Sequence, residues 1–485
     1  MSAPLRRAVL VAALVAVFAS TGIVDRLVGR TTPPASPVGA FSAVGVAPGR
    51  GTESSAWYCA GGTGASGGAP GTIVLTNGTA RPARGTVTVL PALAAGSTAP
   101  GPWAGASTLA VTVPADAQTV VGAAQLGAGG VVATAVVLDG GGVAVSQTVA
   151  SPLGWSMAPC ASTTAPDWYF AHAATSQGGG LILSLFNPGA TDATVDVSLV
   201  SATAGVLVPA AYQGIDVPPG SLVTENLGDH APDDSALATE VSTLSGSVVA
   251  TELESVGKAG NGGLSLVLGS AVTARTWAFA QNTDVPGGTV AFHVLNPTST
   301  PAVVSVAIEL PRGAAAEPLT MTVAPQSTAT LEAQSQTRIP AGVAYGVVLT
   351  SKGVPVVVGR QVSAPPGPAA PTPEDGDVPG QPGGWTRWVV PAVVAPGTGV
   401  ASLAVEDLGP RPATVRILTA AGAAVAGQAG RVVRPGTPLT ILPGTGSPLG
   451  TTPFQVRADQ PVALEMDAEP VAGPGVVVVP TLAQG

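Results

Sequence analysis

The chain has 485 residues, of which 46% are hydrophobic and only 10% are charged, with 64 glycines, 47 prolines and a net charge of −9. Apolar content this high excludes a chain that stays disordered because it cannot build a core. The basic residues form no cluster or stripe along the sequence, so we expect no nucleic-acid partner.

The N-terminus carries the features of an export signal. Two arginines precede an apolar run from Ala8 to Val24. This run is short for a membrane span and long for the hydrophobic region of a signal peptide. We favour an uncleaved transmembrane helix in residues 1–28, with everything that follows outside the cell; a cleaved signal would make the protein secreted. Residues 29–55, rich in Thr, Pro, Ser and Gly, are predicted to be a tether.

Beyond the tether, one sequence frame occurs four times with a period of about 110 residues. Each copy opens with a tryptophan and reaches a turn residue 19 or 20 positions later. Alternating apolar side chains on both sides of that residue predict two strands joined by a hairpin or a sharp corner. The tryptophans are Trp57, Trp168, Trp277 and Trp388, and the turn residues are Asn77, Asn187, Asn296 and Asp407.

The second half of each copy has a Val-Pro signal, a polar strand and a Val-rich closing strand. Six or seven short strands in about 110 residues are typical of an immunoglobulin-like β-sandwich, and the unit is too long for one propeller blade. The sequence therefore predicts an all-β fold of four tandem immunoglobulin-like repeats, in residues 56–160, 161–270, 271–363 and 385–485. Residues 364–384, dense in Pro and Gly, are predicted to be a linker or a long surface loop.

The two cysteines, Cys59 and Cys160, flank the first repeat. In an exported chain, this pair favours a disulfide over two free thiols. The enclosed loop of about 100 residues would contribute about 4–5 kcal/mol in the chain-entropy model. No cluster of His and Cys accompanies the two cysteines, so we expect no metal site.

The tryptophans divide into two groups. In the second and third copies, Phe170 and Phe279 follow the tryptophan by two positions, so both rings of each pair lie on one strand face. We therefore assign Trp57, Trp168, Trp277 and Trp388 to the repeat cores. Trp103, Trp155 and Trp385 lie outside the repeated frame and are the better candidates for contacts with a ligand.

No catalytic motif accompanies the histidines. His172, His230 and His293 occupy no equivalent repeat positions and adjoin no nucleophile motif. His293 lies between Phe292 and Val294, which alternation directs into the core, so we expect it to face solvent. We expect neither enzymatic activity nor a cofactor.

Other polar positions have an ordinary structural interpretation. Asp229, Asp233 and Asp234 surround His230 but match no calcium-binding loop, so they are interpreted as a solvated loop. Glu252 and Glu254 share one strand face, yet a glycosidase pair also needs a cleft. Asn77-Gly78-Thr79 fits a glycosylation sequon, which the predicted turn explains equally well.

Four features carry a family resemblance: the N-terminal anchor, Trp57-Tyr58-Cys59, Cys160 ahead of Trp168-Tyr169-Phe170, and Leu185-Phe186-Asn187-Pro188. In these the chain resembles an actinobacterial family of exported proteins of unknown function. Ala60 departs from the family, which usually has Pro there. Similar proteins are often encoded near a cell-envelope glycosyltransferase, so the resemblance implies a role in the cell envelope, and it implies no catalytic residue.

These patterns predict a non-catalytic extracytoplasmic protein of the cell envelope. An N-terminal anchor would hold it at the membrane, and its β modules would bind or scaffold an envelope protein or polysaccharide. The alternative is an accessory carbohydrate-binding factor for glycan assembly or for a membrane glycosyltransferase. Exposed tryptophans beside a concave surface would favour the glycan, and a flat apolar patch would favour a protein partner.

Overall fold

The computed structural model describes residues 54–63, 71–93, 101–122, 125, 129–151, 153–175, 179–258, 261–283, 288–311, 316–340, 342–364, 374–393, 398–425, 428, 430–442, 449–470, 477–479 and 482–483. Within these ranges the protein consists of antiparallel β-strands, with short 3-10 turns such as Ala210–Tyr212, Leu227–Asp229 and Ala333–Ser335. The all-β prediction is confirmed. No helix of these ranges is long and apolar enough to cross a membrane. The predicted anchor and nearly all of the tether lie outside the described residues.

Repeat 1 forms two four-stranded sheets around one core. The sheets have the strand orders β1-β6-β3-β4 and β5-β2-β7-β8. Side chains of both sheets, among them Val87 and Leu75, pack with Trp57. The strands are β1 (Ser54–Thr63), β2 (Thr72–Asn77), β3 (Ala83–Pro91), β4 (Ser107–Val113), β5 (Gln118–Gly122), β6 (Val131–Asp139), β7 (Val143–Ser151) and β8 (Gly154–Pro159).

Repeat 2 follows the same plan, with the outer strand of its first sheet split in two. Its sheets have the orders β12-β11-β15-β9, where β13 also pairs with β11, and β14-β10-β16-β17. The strands are β9 (Asp167–Ala173), β10 (Gly180–Asn187), β11 (Ala193–Ser201), β12 (Gly205–Leu207), β13 (Ile215–Val217), β14 (Ser221–Asn226), β15 (Leu237–Ser245), β16 (Val249–Lys258) and β17 (Asn261–Leu268).

Repeat 3 again has two four-stranded sheets, β18-β23-β20-β21 and β22-β19-β24-β25. Its strands are β18 (Thr276–Thr283), β19 (Thr289–Asn296), β20 (Ala302–Glu309), β21 (Leu319–Val323), β22 (Ser327–Glu332), β23 (Ala344–Lys352), β24 (Val357–Ala364) and β25 (Glu374–Pro379).

The predicted linker, 364–384, needs a correction. Its described part contains β25, which pairs with β24 along its whole length. A closing strand in this place recurs in repeats 1 and 2, where β8 pairs with β7 and β17 pairs with β16. From residue 374 onward the segment is therefore part of repeat 3, and its Pro and Gly content concealed the strand.

Repeat 4 joins both layers through one long strand. The first part of β31 pairs with β26 and β28, and its later part pairs with β27 and β32. One eight-stranded sheet results. The strands are β26 (Trp385–Val390), β27 (Thr398–Asp407), β28 (Ala413–Thr419), β29 (Arg431–Val433), β30 (Leu439–Ile441), β31 (Phe454–Pro470), β32 (Val477–Val479) and β33 (Leu482–Ala483).

The repeated turn residue makes a corner between two sheets. In repeat 1 it ends β2, and the next strand, β3, belongs to the other sheet. Asn77 is fully buried; its amide donates to the carbonyls of Val113 and Pro114 and its oxygen accepts from Thr79 N. Both ends of the side chain are therefore engaged, which favours the turn over the glycosylation sequon.

The contacts between repeats form a closed circuit within the compact unit Ser42–Gly485. The first strand of each repeat lies against the second strand of the next: β1 against β10, β9 against β19, and β18 against β27. The last repeat returns to the first, because Val390 of β26 packs with Val74 of β2. The same mode of docking is thus used four times. In each repeat, the sheet that contains the second strand is covered by the neighbouring repeat.

Candidate functional site

The residue four positions after each repeat tryptophan faces the next repeat, and its chemistry differs at every contact. Gly61 lies against hydroxyls of repeat 2, His172 against His293, and Gln281 against Ser402 and Glu465. Ala392 exchanges backbone hydrogen bonds with the Gln118 amide of repeat 1. The contact between repeats 2 and 3 is therefore the one built on an imidazole at this position.

His172 is buried between two hydrogen-bond acceptors. Its Nδ1 lies 2.8 Å from Asp377 Oδ1 and its Nε2 lies 3.2 Å from the carbonyl oxygen of Ser235. Each nitrogen needs a proton to bond an acceptor, so the geometry fits an imidazolium paired with a carboxylate. Burial lowers the pKa of His172, but the charge and hydrogen bond of Asp377 outweigh it and raise the pKa above its usual value.

His293 is also buried, at 3% exposure, which overturns the prediction that it faces solvent. It stacks on His172 with ring centroids 3.7 Å apart and planes 27° apart, and its Nδ1 lies 3.1 Å from Thr330 Oγ1. Burial and the charge of His172 lower the pKa of His293 to about 3, so this ring is neutral. Alternation did direct it away from its own core, but repeat 2 covers that face.

Glu252 and Glu254 of β16 line the same buried contact. Glu254 Oε1 accepts from Ala174 N at 3.0 Å, and its carboxyl is hydrogen-bonded to that of Asp377. Two carboxyls can bond each other only if one is protonated. Burial, followed by the charge of Asp377, raises the pKa of Glu254, so Glu254 holds the proton. Burial likewise raises the pKa of Glu252 to about 8.

Asp377 is the anion at the centre of this group. Burial would raise the pKa of its carboxyl, but the charge of His172 and hydrogen bonds to His172 and Glu254 lower it. Its backbone N and O both bond Ser265 Oγ of β17, at 3.0 and 3.1 Å. The strand missed in the predicted linker therefore supplies the central charge of the contact. We call His172, His293, Glu252, Glu254 and Asp377 the histidine–carboxyl cluster.

The space beside the cluster is very small. A cavity of about 20 Å³ is lined mostly by apolar side chains, and its polar lining comes from His172, Arg360, Asp377, Ser270 and Tyr169. This is room for about one water molecule. A glycosidase pair needs carboxyls on the two sides of a scissile bond, whereas Glu252 and Glu254 are buried neighbours on one strand.

The contact between repeats 3 and 4 is also polar but uses a guanidinium. Arg360 is buried and pairs with Glu465, and its Nη1 donates to Asn282 Oδ1 at 2.8 Å. The guanidinium carbon lies 5.4 Å from the ring centre of Phe279. Nearby, burial raises the pKa of Glu406 to about 11, so Glu406 is uncharged at neutral pH.

The four repeat tryptophans are all buried in cores. Trp168 and Trp277 donate to the carbonyls of Val248 and Val356, both at 2.9 Å. The three tryptophans outside the frame are half-buried. Trp103 meets Phe186 of repeat 2 edge-on at 5.8 Å, and Trp155 and Trp385 pack against the core of repeat 4.

The predicted disulfide is confirmed, since Cys59 and Cys160 are bonded. It fastens β1 to the segment that leaves β8. The acidic loop near His230 is held by its own turns: Asn226 donates to Asp229 and caps Gly228 N. Across the described segments, no group of three or more His, Cys, Asp or Glu side chains could hold a metal ion.

Fold and site together define an all-β repeat protein whose modules dock on one another in a closed circuit through buried polar contacts. The chain belongs to a family of unknown function, DUF5719, whose model matches residues 140–443. That match runs from the end of repeat 1 into repeat 4.

Further comparisons add little. No curated protein matches the chain. A Thermotoga maritima protein, 1070, is similar over 22% of this chain and 94% of its own, at 18% identity and a TM-score of 0.19. The Anabaena sensory rhodopsin transducer is similar over 18% of this chain and 94% of its own, at 26% identity and a TM-score of 0.16. Likenesses this partial carry no argument about function.

Proposed function

We propose that this protein is a non-catalytic extracytoplasmic component of the cell envelope, a rigid scaffold for an envelope protein or polysaccharide. Its four modules are immunoglobulin-like β-sandwiches, and an N-terminal anchor attaches them to the membrane. The disulfide between Cys59 and Cys160 supports an oxidising location.

The observation that carries the proposal is the closed circuit of contacts. Each repeat is docked on two others, so the modules present fixed surfaces instead of moving on flexible linkers. The titratable side chains that were candidates for catalysis are buried in a contact between modules. They are His172, His293, Glu252 and Glu254. Such groups hold repeats together, whereas an enzyme needs them beside a substrate.

The charge distribution narrows the class of partner. Residues 161–270 carry eleven acidic residues and one lysine, while the rest of the chain has 17 acidic and 18 basic residues. The excess negative charge therefore belongs to repeat 2. A polyanion, nucleic acid or acidic glycan, would be repelled there, so a protein or a neutral polysaccharide is the better partner.

The glycan-binding alternative has less support. It requires ring faces of Trp103, Trp155 or Trp385 to stack on sugars, and each ring is half-buried: Trp103 against repeat 2, Trp155 against the core of repeat 4, and Trp385 against the core of its own repeat. Trp103 and Trp155 therefore contribute to docking between modules. They remain the residues to test if glycan binding is detected.

The test uses the full chain, extracted from membranes after crosslinking in intact cells. We expect external protease to reach the β modules, the cysteines to be oxidised, and one envelope protein or neutral glycan to be crosslinked reproducibly. A chain shielded from protease until lysis, with reduced cysteines, would overturn the location. Glycan-array binding that Trp103→Ala or Trp155→Ala abolishes, with Trp277→Phe as folding control, would establish the alternative.

A further inference from the structure

The four contacts between repeats share one geometry, but they differ in whether their side chains can gain or lose a proton. Between repeats 1 and 2, Gly61 and the carbonyl of Ala60 meet the hydroxyls of Ser184 and Thr251, and Tyr58 meets Phe186 edge-on. Between repeats 4 and 1, Gln118 bonds the backbone of Ala392. Neither set gains or loses a proton near neutrality. The histidine–carboxyl cluster, by contrast, is held together by protons.

Counting those protons shows how the cluster stays close to neutral. His172 carries two, because both ring nitrogens face acceptors. Glu254 carries one, because it bonds another carboxyl. Asp377 is the anion, and His293 and Glu252 are uncharged at neutral pH. The one positive and one negative charge then cancel, which a buried contact requires.

The elements packed against β9 add further groups to this count. β15, which pairs with β9, contributes Glu240, whose pKa burial raises to about 7. β25 contributes Asp377, β19 contributes His293, and β16 contributes Glu252 and Glu254. β24 contributes Arg360, which is committed to Glu465 of repeat 4. β17 contributes Ser265, which does not titrate. No cation among the described side chains stands ready to neutralise a further negative charge in the cluster.

We propose that the contact between repeats 2 and 3 is a proton-dependent clasp, which is closed while the histidine–carboxyl cluster holds its protons and opens as alkaline solution removes them. Loss of a proton from Glu252, Glu254 or His172 leaves uncompensated negative charge beside Asp377. Separation of the repeats exposes that charge to water and relieves the cost. The stack of His172 on His293 breaks in the same step.

The clasp opens the joint between repeats 2 and 3. When the clasp opens, β9 leaves β19 and β24, and the faces around Ala171 and His293 become accessible. Repeats 1 and 2 stay docked, because the described groups that meet at their contact do not gain or lose a proton near neutral pH. Alkaline pH thus changes which surface the protein offers while the cores stay folded.

Hydrogen exchange of the full chain measures this opening directly. Protection in peptides from β9 and β19 is compared with that in β1 and β10 between pH 6.5 and 8.5, after correction for intrinsic exchange. Each proton released on opening raises the opening constant on the order of tenfold per pH unit. We expect protection of β9 and β19 to fall by that factor or more, while β1 and β10 hold theirs.

The matched variants assign the effect to the cluster. Glu252→Gln and Glu254→Gln keep side-chain size but cannot lose a proton, so together they should flatten the pH dependence of β9. Glu406→Gln removes a buried carboxyl from the neighbouring contact and should leave the β9 slope unchanged. The clasp is refuted if wild-type protection of β9 is independent of pH, if all four peptides lose protection together, or if the double variant keeps the full slope.

Discussion

His172 stacks on His293 with ring centroids 3.7 Å apart, although the two residues belong to different repeats and lie 121 positions apart in the chain. One ring is held as a cation by Asp377, and the other is held neutral by burial and by that cation. The pair joins the modules while carrying a single positive charge, so its two members should respond differently to pH.

The first prediction concerns the neutral ring. The folded-state pKa of His293 is about 3, below its ordinary value of 6.5, so unfolding takes up a proton between those values. The neutral ring therefore contributes to the free energy of unfolding above pH 6.5. This contribution is lost as pH falls toward 3, at about 1.4 kcal/mol per pH unit. His293→Gln removes it. Denaturant titrations at pH 6.5 and 4.5 should show a smaller acid loss in the variant.

His230 provides the control for that measurement, because its ring is exposed in a loop of repeat 2. His230→Gln should keep the wild-type acid loss. Equal losses in wild type and His293→Gln would mean that the buried ring takes up no proton on unfolding.

The second prediction concerns the ion pair between repeats 3 and 4. Arg360→Met leaves Glu465 buried without its cation, which should cost about 3–5 kcal/mol of unfolding free energy. Arg360→Met combined with Glu465→Met removes both charges and should cost less than the single change. A single variant as stable as wild type would show that water already reaches Glu465. The measurement is chemical denaturation at pH 7.

The third prediction concerns the corner residues. Asn296 donates to the carbonyls of Val323 and Ala324 and accepts from Thr298 N. Asn296→Asp keeps the acceptor but loses the donor, which should cost about 1–3 kcal/mol for the buried carbonyls left unpaired. The free energy of unfolding measures this loss.

Repeat 4 supplies the reciprocal experiment. Asp407 accepts from Gly409 N and from Ala413 N, so an acceptor is needed at both oxygens. Asp407→Asn would direct an amide N–H at Ala413 N–H and should destabilise as well. If either exchange were neutral, the corner side chains would not determine the turn.

The fourth prediction concerns a left-handed turn residue that recurs in all four repeats. It is Asp116, Gly220, Gln326 and Gly436, with φ between 48° and 72°. Gln326 is exposed, so Gln326→Gly should remove backbone strain and stabilise by about 0.5–1 kcal/mol. Gly436→Ala, with open space around the added methyl, should cost about 1–2 kcal/mol.

Denaturant midpoints at unchanged slope measure both turn variants. A neutral Gln326→Gly would mean that the entropy of glycine in the unfolded chain cancels the relief of strain. A stabilising Gly436→Ala would contradict the role assigned to the left-handed turn.

The sequence predicted much of the strand framework but little of the site. Period-two spacing beside Asn187 located β10 and β11, because alternation reports which face meets the repeat's own core. The same spacing directed His293 to the other face of its strand, which would be exposed to solvent in an isolated repeat. For Glu252 and Glu254, the sequence shows two carboxyls on one face of a strand. This spacing predicts that the two side chains lie together, but it does not identify the residues that they contact.

Asp377 was missed for a different reason. It lies in a segment where prolines and glycines outweigh apolar alternation, so composition suggested a linker. The strand β25 forms because β24 offers an edge with which its backbone can pair, and backbone pairing leaves little trace in side-chain pattern.

By itself the sequence determined an all-β chain, the period of its repeats and the cysteine pair, because each of these follows from local alternation, turn chemistry or residue count. Tertiary structure alone decided that the repeats close on one another and that His172, His293, Glu252, Glu254 and Asp377 meet. A strand pattern specifies which side chains leave their own core. Whether water or another repeat receives them depends on docking between segments more than a hundred residues apart.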